Sequence, residues 1–337
     1  MSRVRLKDVA EHAGVSLKTV SNVVNNHPYV KPEMRKKVLA SIELLGYRPN
    51  VTAQRLATGR TRTLALAVSG ISIPYFAELS ERIYKHAAER GYNVLLAQTA
   101  DTLEGELAVL DQLETGLFDG LIIHPGNIST DEIAKRAASF PCVVLGESDA
   151  PPTVDHVFID NTQAAHDITE HLLKLGRKHL LFIGYESKKI SQTSLQRLAG
   201  FRQALQQFGL PADPNRELAI SSARPDPAFD ALIGALDSGL AVDGIVCRDD
   251  LPAMGVLRAL ASKGLRVPED VAVTGWDDLS TSAFLVPSLT SVNPNSEEIA
   301  IRAVEQVIAR IEGDRSLGHP IIIEHSIVER ESSTSSR

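Results

Sequence analysis

Leu6-Lys7-Asp8-Val9-Ala10-Glu11-His12-Ala13-Gly14-Val15-Ser16-Leu17-Lys18-Thr19-Val20-Ser21-Asn22-Val23-Val24-Asn25 is broken by a single glycine. Ahead of it Leu6, Val9, Ala10 and Ala13 recur at helical spacing. Gly14 supplies a permissive turn position, and Ser16 is an N-cap for a second helix from Leu17 to about Asn25. The stretch predicts helix, tight turn, helix. In the second helix Val20, Val23 and Val24 form an apolar face, so Lys18, Ser21, Asn22 and Asn25 project from the other side. Such a polar face suits a reader of the DNA major groove: Leu17 and Lys18 would meet base edges first, and Asn22 can pair bidentately with adenine. A merely solvated helix face would show the same pattern.

Charge tips the balance. Residues 1–62 hold 12 Lys/Arg against 4 Asp/Glu, and the remainder 23 against 38, so the overall charge of −7 hides a basic head on an acidic body. That split suggests a polyanion partner, with a solvated basic face as the alternative. A third helix is predicted from Pro32, carrying Met34, Val38, Ile42 and Leu45 on one face and stopping at Gly46. Its N-cap, Lys31, has no capping oxygen.

From Leu64 the pattern changes to short apolar runs alternating with amphipathic helices. The runs are Leu64 to Val68, Val94 to Ala97, Gly120 to Ile123, Cys142 to Leu145, Val157 to Ile159, Leu180 to Ile183, Gly244 to Cys247 and Val271 to Thr274. Helical stretches such as Phe76 to Arg90, Gln163 to Leu175, Leu195 to Phe208 and Leu251 to Lys263 lie between them. Near-continuous apolar strands separated by helices imply parallel sheets covered on both faces. About ten strands in this span predict two doubly wound subdomains instead of one very wide sheet.

A chain of 337 residues exceeds one ordinary core, and 43% hydrophobic with 23% charged residues excludes wholesale disorder. Residues 331–337, Ser-rich, are expected to form a disordered tail. Cys142 and Cys247 sit in apolar runs with no ligand spacing around them, so they read as buried thiols of a reducing compartment. The N-terminus lacks an apolar signal region, and no run approaches roughly 18 apolar residues, which predicts a cytoplasmic protein without membrane association. No GxxxxGKS/T, GxSxG or HExxH occurs, and Ser69-Gly70-Ile71-Ser72-Ile73-Pro74 follows the first strand where GxGxxG would stand. An enzyme is therefore not expected, nor a metal or cofactor.

Ligands of open parallel sheets bind outside the carboxyl ends of the strands. The groups that fall there are Ser69 with Tyr75 and Phe76, His124, Glu147, Arg197, Asp249 with Asp250, and Trp276 with Asp277. Carboxylates, one arginine and aromatic platforms suit a polyhydroxylated ligand. Asp250 could instead cap the helix starting at Leu251.

Leu6 to Ser16, with Thr19-Val20-Ser21 and Val23-Val24-Asn25, resembles the LacI/GalR family of bacterial transcription regulators. Gly46-Tyr47-Arg48-Pro49-Asn50, then Ala53-Gln54 and Leu56-Ala57, is similar to the end of that family's third helix and its hinge. The resemblance implies a helix-turn-helix DNA-binding domain (1–49), a hinge helix or linker (50–61), and an effector-binding and dimerisation body (62–330). That body would be periplasmic-binding-protein-like, with an N-subdomain of about 62–160 plus 293–322 and a C-subdomain of about 161–292 plus 323–330. It further implies that Leu17, Lys18 and Asn22 read bases, that Ser16, Thr19, Ser21, Asn25 and Asn50 contact the DNA backbone, and that Leu6, Tyr47 and Ala53 complete the DNA-facing set. Leu56 would wedge into the minor groove once two hinges pack together, because so short a helix does not hold alone in water. The best-known members carry arginine where Asn22 stands, so a different half-site is expected.

Arg197 in Gln196-Arg197-Leu198-Ala199-Gly200-Phe201, Asp249, and Asp277 in Gly275-Trp276-Asp277 match family effector positions. Ser222, Ala223 and Arg224 replace an aromatic often found there. The implied protein is a repressor acting as a homodimer on a pseudo-palindromic double-stranded operator, controlled by a sugar; both inducer-released and corepressor-activated types exist, so the sign stays open. A sugar-binding protein without a DNA role, or a regulator answering a nucleobase or nucleoside, are the alternatives. No apolar heptads follow Arg330, so a tetramer built on a C-terminal coiled coil is not expected.

Overall fold

A computed structural model of the chain describes residues 4–24, 27–47, 60–137, 140–186, 188 and 190–334. The chain divides into two compact units, Met1–Thr61 and Arg62–Arg337.

In the head, α1 (Leu6–Ala13) ends where Gly14, at φ 61°, turns its N–H back onto Ala10 and Glu11. A side chain at that left-handed position would be strained, so the glycine sets the sharp turn. The Ser16 hydroxyl accepts from the Thr19 N–H at 3.1 Å and opens α2 (Leu17–Val24) as its cap. Pro32 begins α3 (Pro32–Leu45), Lys31 offers no capping side chain, and Gly46 ends the helix at φ 61°. Val9, Ala10, Ala13, Val20, Val23, Val38 and Tyr47 form the core. Met34, expected on the inward face of α3, is 39% exposed, since a fourteen-residue helix outruns the two eight-residue helices packed on it. Ser41 is buried on that face, 3.0 Å from His12 Nδ1.

The body contains two six-stranded sheets among its described residues. The first is built from β1 (Thr63–Val68), α4 (Pro74–Glu89), β2 (Asn93–Gln98), α5 (Leu103–Glu114), β3 (Gly120–Ile123), α6 (Thr130–Ala137), β4 (Cys142–Leu145) and β5 (Asp155–Ile159). The chain then crosses into α7 (Asn161–Lys174), β6 (Leu180–Glu186), α8 (Gln192–Gln207), β7 (Glu217–Ile220), α9 (Pro225–Asp237), β8 (Gly244–Cys247), α10 (Asp250–Ser262), β9 (Ala272–Trp276) and β10 (Thr290–Asn293). It returns through α11 (Ser296–Glu312) to β11 (Pro320–Ile323) at the edge of the first sheet, and crosses once more to β12 (Ser326–Val328) in the second.

The strand orders match: β2-β1-β3-β4-β5-β11 and β7-β6-β8-β9-β10-β12. All pairings are parallel except β10 with β12. Each order reverses direction after its first strand, at the β1/β3 and β6/β8 boundaries, where open sheets of this kind bind ligands. The two lobes are therefore joined by three segments, at residues 159–161, 293–296 and 323–326. Twelve strands replace the ten or so expected. β10, read Thr-Ser-Val-Asn, shows no apolar run because its polar side chains bond inside the fold: the Ser291 hydroxyl donates to Asp250 and that of Thr290 to the Arg330 carbonyl.

The predicted disordered tail is corrected over residues 331–334. Ser332 and Ser333 are buried. The Val273 N–H donates to the Ser332 carbonyl, the Ser332 hydroxyl donates to the Val273 carbonyl at 2.6 Å, and the Thr290 N–H donates to the Ser332 hydroxyl at 2.8 Å. Serines that composition marks as disorder-prone here supply hydrogen bonds to strand backbone. Cys142 and Cys247 are buried free thiols. Among the described residues no helix is long and apolar enough to cross a membrane, and no group of three or more His, Cys, Asp or Glu could hold a metal ion.

Candidate functional site

In the head, the valines of α2 face inward and the opposite side presents Leu17, 52% exposed, and the exposed Lys18, with Ser21 and Asn22 partly exposed one turn on. Ser16 and Thr19 are joined hydroxyl to hydroxyl at 2.8 Å, so Ser16 serves the cap as well as any partner. Leu6 is partly buried against the core. Tyr47, placed in the DNA-facing set, is 8% exposed and packed in the head's core. Asn25, Asn50, Ala53 and Leu56 lie outside the described residues.

In the body, a cleft of 850 Å³, its mouth included, lies between the two sheets. Loops after β1, β3, β4, β7, β8 and β9, with the first turns of α4 and α8, line it. Tyr75, Phe76, His124, Glu147, Arg197, Asp249, Trp276 and Asp277 are all brought together there; Ser69 is not among the lining residues.

Arg197 organises the site. Its Nε donates to Asn161 Oδ1 at 2.8 Å, and its Nη1 donates to the Arg248 carbonyl at 2.6 Å and to Asp249 Oδ1 at 2.8 Å. Its Nη2 stands 4.0 Å from Glu147. The guanidinium lies 3.8 Å over the Trp276 ring. Trp276 therefore supports a cation instead of offering that face to a ligand, a correction to its reading as a platform. The aromatic wall is supplied by Phe76, packed edge-on to Tyr75 and His124 with ring centroids 5.3 and 4.9 Å apart.

Glu147 accepts from the Thr193 hydroxyl at 2.9 Å and from Asn161 Nδ2 at 3.0 Å. Burial works to raise its carboxyl, but His124, Arg197 and the Thr193 bond outweigh burial and hold it below the usual carboxylate range. Asp277, at φ 103°, is different: no side chain among the described residues is seen donating to it, and burial together with the negative charge of Asp249 pushes it well above the usual range. Burial, then Asp277 and Glu147, also raise the Tyr75 phenol, so it stays a protonated donor.

Asp249 starts α10 without capping it, and its carboxylate takes Arg248 Nε at 2.7 Å. Arg248 also donates to Glu186 and to the Ser194 hydroxyl. Asp250 is not among the residues that line the cleft, and its bonds run away from its own helix. Fully buried, it accepts from the Leu279 N–H at 2.9 Å and from the hydroxyls of Ser282 and Ser291 at 2.6 and 2.7 Å. A Cβ on Gly275 would fall 2.1 Å from Asp250 Oδ1, the physical reason for glycine before Trp276-Asp277.

Sequence reasoning missed Asn161, Thr193, Arg248 and Glu186. Asn161 and Thr193 lie in the first turns of helices and read locally as polar starts; Arg248 beside Asp249, directly after an apolar strand, was the available signal. After β7, where Ser222, Ala223 and Arg224 stand in place of an aromatic, Ala223 lines the cleft and Arg224 pairs with Asp226 in solvent.

Such a pair of units, a helix-turn-helix head and a body whose matching sheets flank a polar cleft, defines the class of ligand-responsive DNA-binding regulators. The chain belongs to the LacI family: the model for "Bacterial regulatory proteins, lacI family" matches residues 5–50, and that for "Periplasmic binding proteins and sugar binding domain of LacI family" matches residues 61–331. It is a DNA-binding transcriptional regulator with an effector-binding domain. Catabolite control protein A of Priestia megaterium is 34% identical over 295 residues, spanning 86% of this chain and 87% of that one. The lac repressor dimer bound to operator and the anti-inducer ONPF superposes with a TM-score of 0.88 at 26% identity, over 99% of this chain and 100% of that one. The complex of the regulator CelR with cellobiose has a TM-score of 0.71 at 29% identity, over 98% and 100%.

Proposed function

We propose that the protein is a cytoplasmic repressor that binds a pseudo-palindromic operator as a homodimer and whose affinity for it is set by a sugar in the cleft. The observation that carries the sugar is the presence of donors and acceptors around one cavity: Arg197, the protonated Tyr75 phenol and Asp277 line it together with the aromatic wall of Phe76. Fixed donors and acceptors of this kind take up the hydroxyls of a polyol, and the aromatic edge takes its apolar face. The cellobiose held by CelR, and the operator held by a lac repressor dimer, support the same reading.

In this reading Leu17, Lys18 and Asn22 contact bases, while Ser16, Thr19, Ser21 and Asn25 position the head on the phosphates. Residues 50–61 act as the hinge, with Asn50 on the DNA backbone, Ala53 in the DNA-facing set and Leu56 wedged into the minor groove. Ligand binding acts by its different affinity for two relative angles of the lobes, typically a coupling of about 1–3 kcal/mol. The test is to select duplexes from a random pool with the full-length protein, then to screen sugars, nucleosides and nucleobases for those that change the affinity. A sugar that shifts operator binding supports the reading; a nucleobase or nucleoside as the effective class replaces the sugar, and no sequence preference on any duplex ends it.

A further inference from the structure

Among the described residues, hydrogen bonds join the lobes at two places. Inside the cleft, Glu147 after β4 accepts from Thr193 on α8 and from Asn161 on α7. Next to the lining residue Leu279, and one turn along α4 from Tyr75, Glu78 accepts from both the N–H and the hydroxyl of Ser280, at 3.0 and 2.8 Å through a single oxygen, Oε1. Its other oxygen faces Arg82 at 3.5 Å, and Arg82 also faces Glu297 at 3.7 Å.

What gives the Glu78 contact leverage is the stiffness of both its ends. α4 also supplies Pro74, Tyr75 and Phe76 to the cleft wall. The loop carrying Ser280 begins with Asp277 and Asp278 in the left-handed region. It is anchored by the buried Asp250, which holds Leu279 and Ser282, and by Asp278, which takes Arg330 Nη2 at 2.6 Å and Asn293 Nδ2 at 2.9 Å. A loop so held moves with the second sheet. The Glu78–Ser280 contact therefore joins two rigid bodies, and a rotation that moves α4 away from this loop breaks it.

We propose that Glu78 is the gate of the cleft: its hydrogen bonds to Ser280 hold the lobes together beside the cleft, and their loss opens the way to Tyr75, Arg197 and Asp277. Glu78 is thus a positioning residue that acts through the angle of the lobes. Its functional meaning rests on the cleft being the effector site, but the gate is tested without any small-molecule effector, so failure of one reading leaves the other standing.

The chain has one tryptophan, Trp276, buried in the cleft wall, and its fluorescence reports access directly. Acrylamide quenching of the full-length protein should rise about three- to tenfold in E78A, the shift in open population expected when the net contribution of an ordinary hydrogen bond is lost. E78Q, which keeps an acceptor oxygen for Ser280, should stay near wild type, as should E81A, an exposed glutamate on the same helix. Quenching of E78A within about twofold of wild type overturns the gate. An equal rise in E81A overturns it too, and a rise in E78Q matching that in E78A overturns the hydrogen-bond account.

Discussion

The Arg197 guanidinium rests 3.8 Å above the Trp276 ring while its Nη1 donates to Asp249, so one side chain is fixed by an aromatic face below and by a carboxylate and a carbonyl at its edge. Arginine can meet all of these at once because its fork is planar; an ammonium cannot. The cleft is thereby organised around a cation that has little freedom to turn.

Arg197→Ala should abolish the effector response while leaving sequence-specific DNA binding, and Arg197→Lys should not rescue it. Removing the guanidinium leaves Asp249 to Arg248 alone and Glu147 to Thr193, Asn161 and His124, so the body should also lose about 1–3 kcal/mol. Operator titrations with and without the effective sugar, beside urea melts of the same variants, check both parts. An unaltered response removes Arg197 from the site.

Asp250 should make the body's stability depend on pH in an unusual direction. Burial raises its carboxyl from 3.8 to about 6, so between those values the folded chain keeps a proton that the unfolded chain has released. Its contribution is therefore fully present below about pH 4 and declines as pH rises through 6, by at most about 3 kcal/mol. Asp250→Asn removes that titration, so its stability relative to wild type should climb between pH 4 and 7. Urea denaturation across that range measures the difference; a flat difference would mean that Asp250 does not titrate there.

Truncation after Arg330 should destabilise the body by about 2–4 kcal/mol, since it strips hydrogen-bond partners from Val273 and Thr290 in buried strands. Thermal unfolding of the truncated chain gives the answer. No change in the midpoint would show that residues 331–334 contribute nothing to the fold.

Asn22→Ala should weaken preference at one symmetric operator position by about 1–3 kcal/mol, with little effect elsewhere in the site. Uniform weakening across all sequences, measured on a set of single-base operator variants, would move Asn22 to a phosphate contact.

Helix, turn and helix could be read from residues 6 to 24 because every signal involved is local. The period of Val9, Ala10 and Ala13, the left-handed Gly14 and the Ser16 cap all act within a few residues. The same holds for the apolar strands β1, β3, β4 and β6, buried over most of their length and so uninterrupted in sequence, while β2 keeps its apolar run although Leu95 and Leu96 are exposed. It fails for β10, β11 and β12, three or four residues each, which follow from pairing with strands far along the chain. Composition also misread residues 331–334, whose serines find buried partners only once β9 and β10 lie side by side.

Candidate cleft residues could be named from one rule, that the carboxyl ends of parallel strands carry the site. Their division of labour could not. Glu147, Asp249, Asp250 and Asp277 are alike as letters, yet one spans the lobes, one holds Arg197, one anchors a loop and one is left facing the cavity. That sorting depends on which donors arrive from elsewhere in the chain: Thr193 and Asn161 at Glu147, Ser282 and Ser291 at Asp250. Periodicity and capping are written into neighbouring residues and survive without the rest of the molecule. The protonation and partnership of a buried carboxylate come from desolvation and from groups tens to hundreds of positions away, and they take shape when the lobes pack.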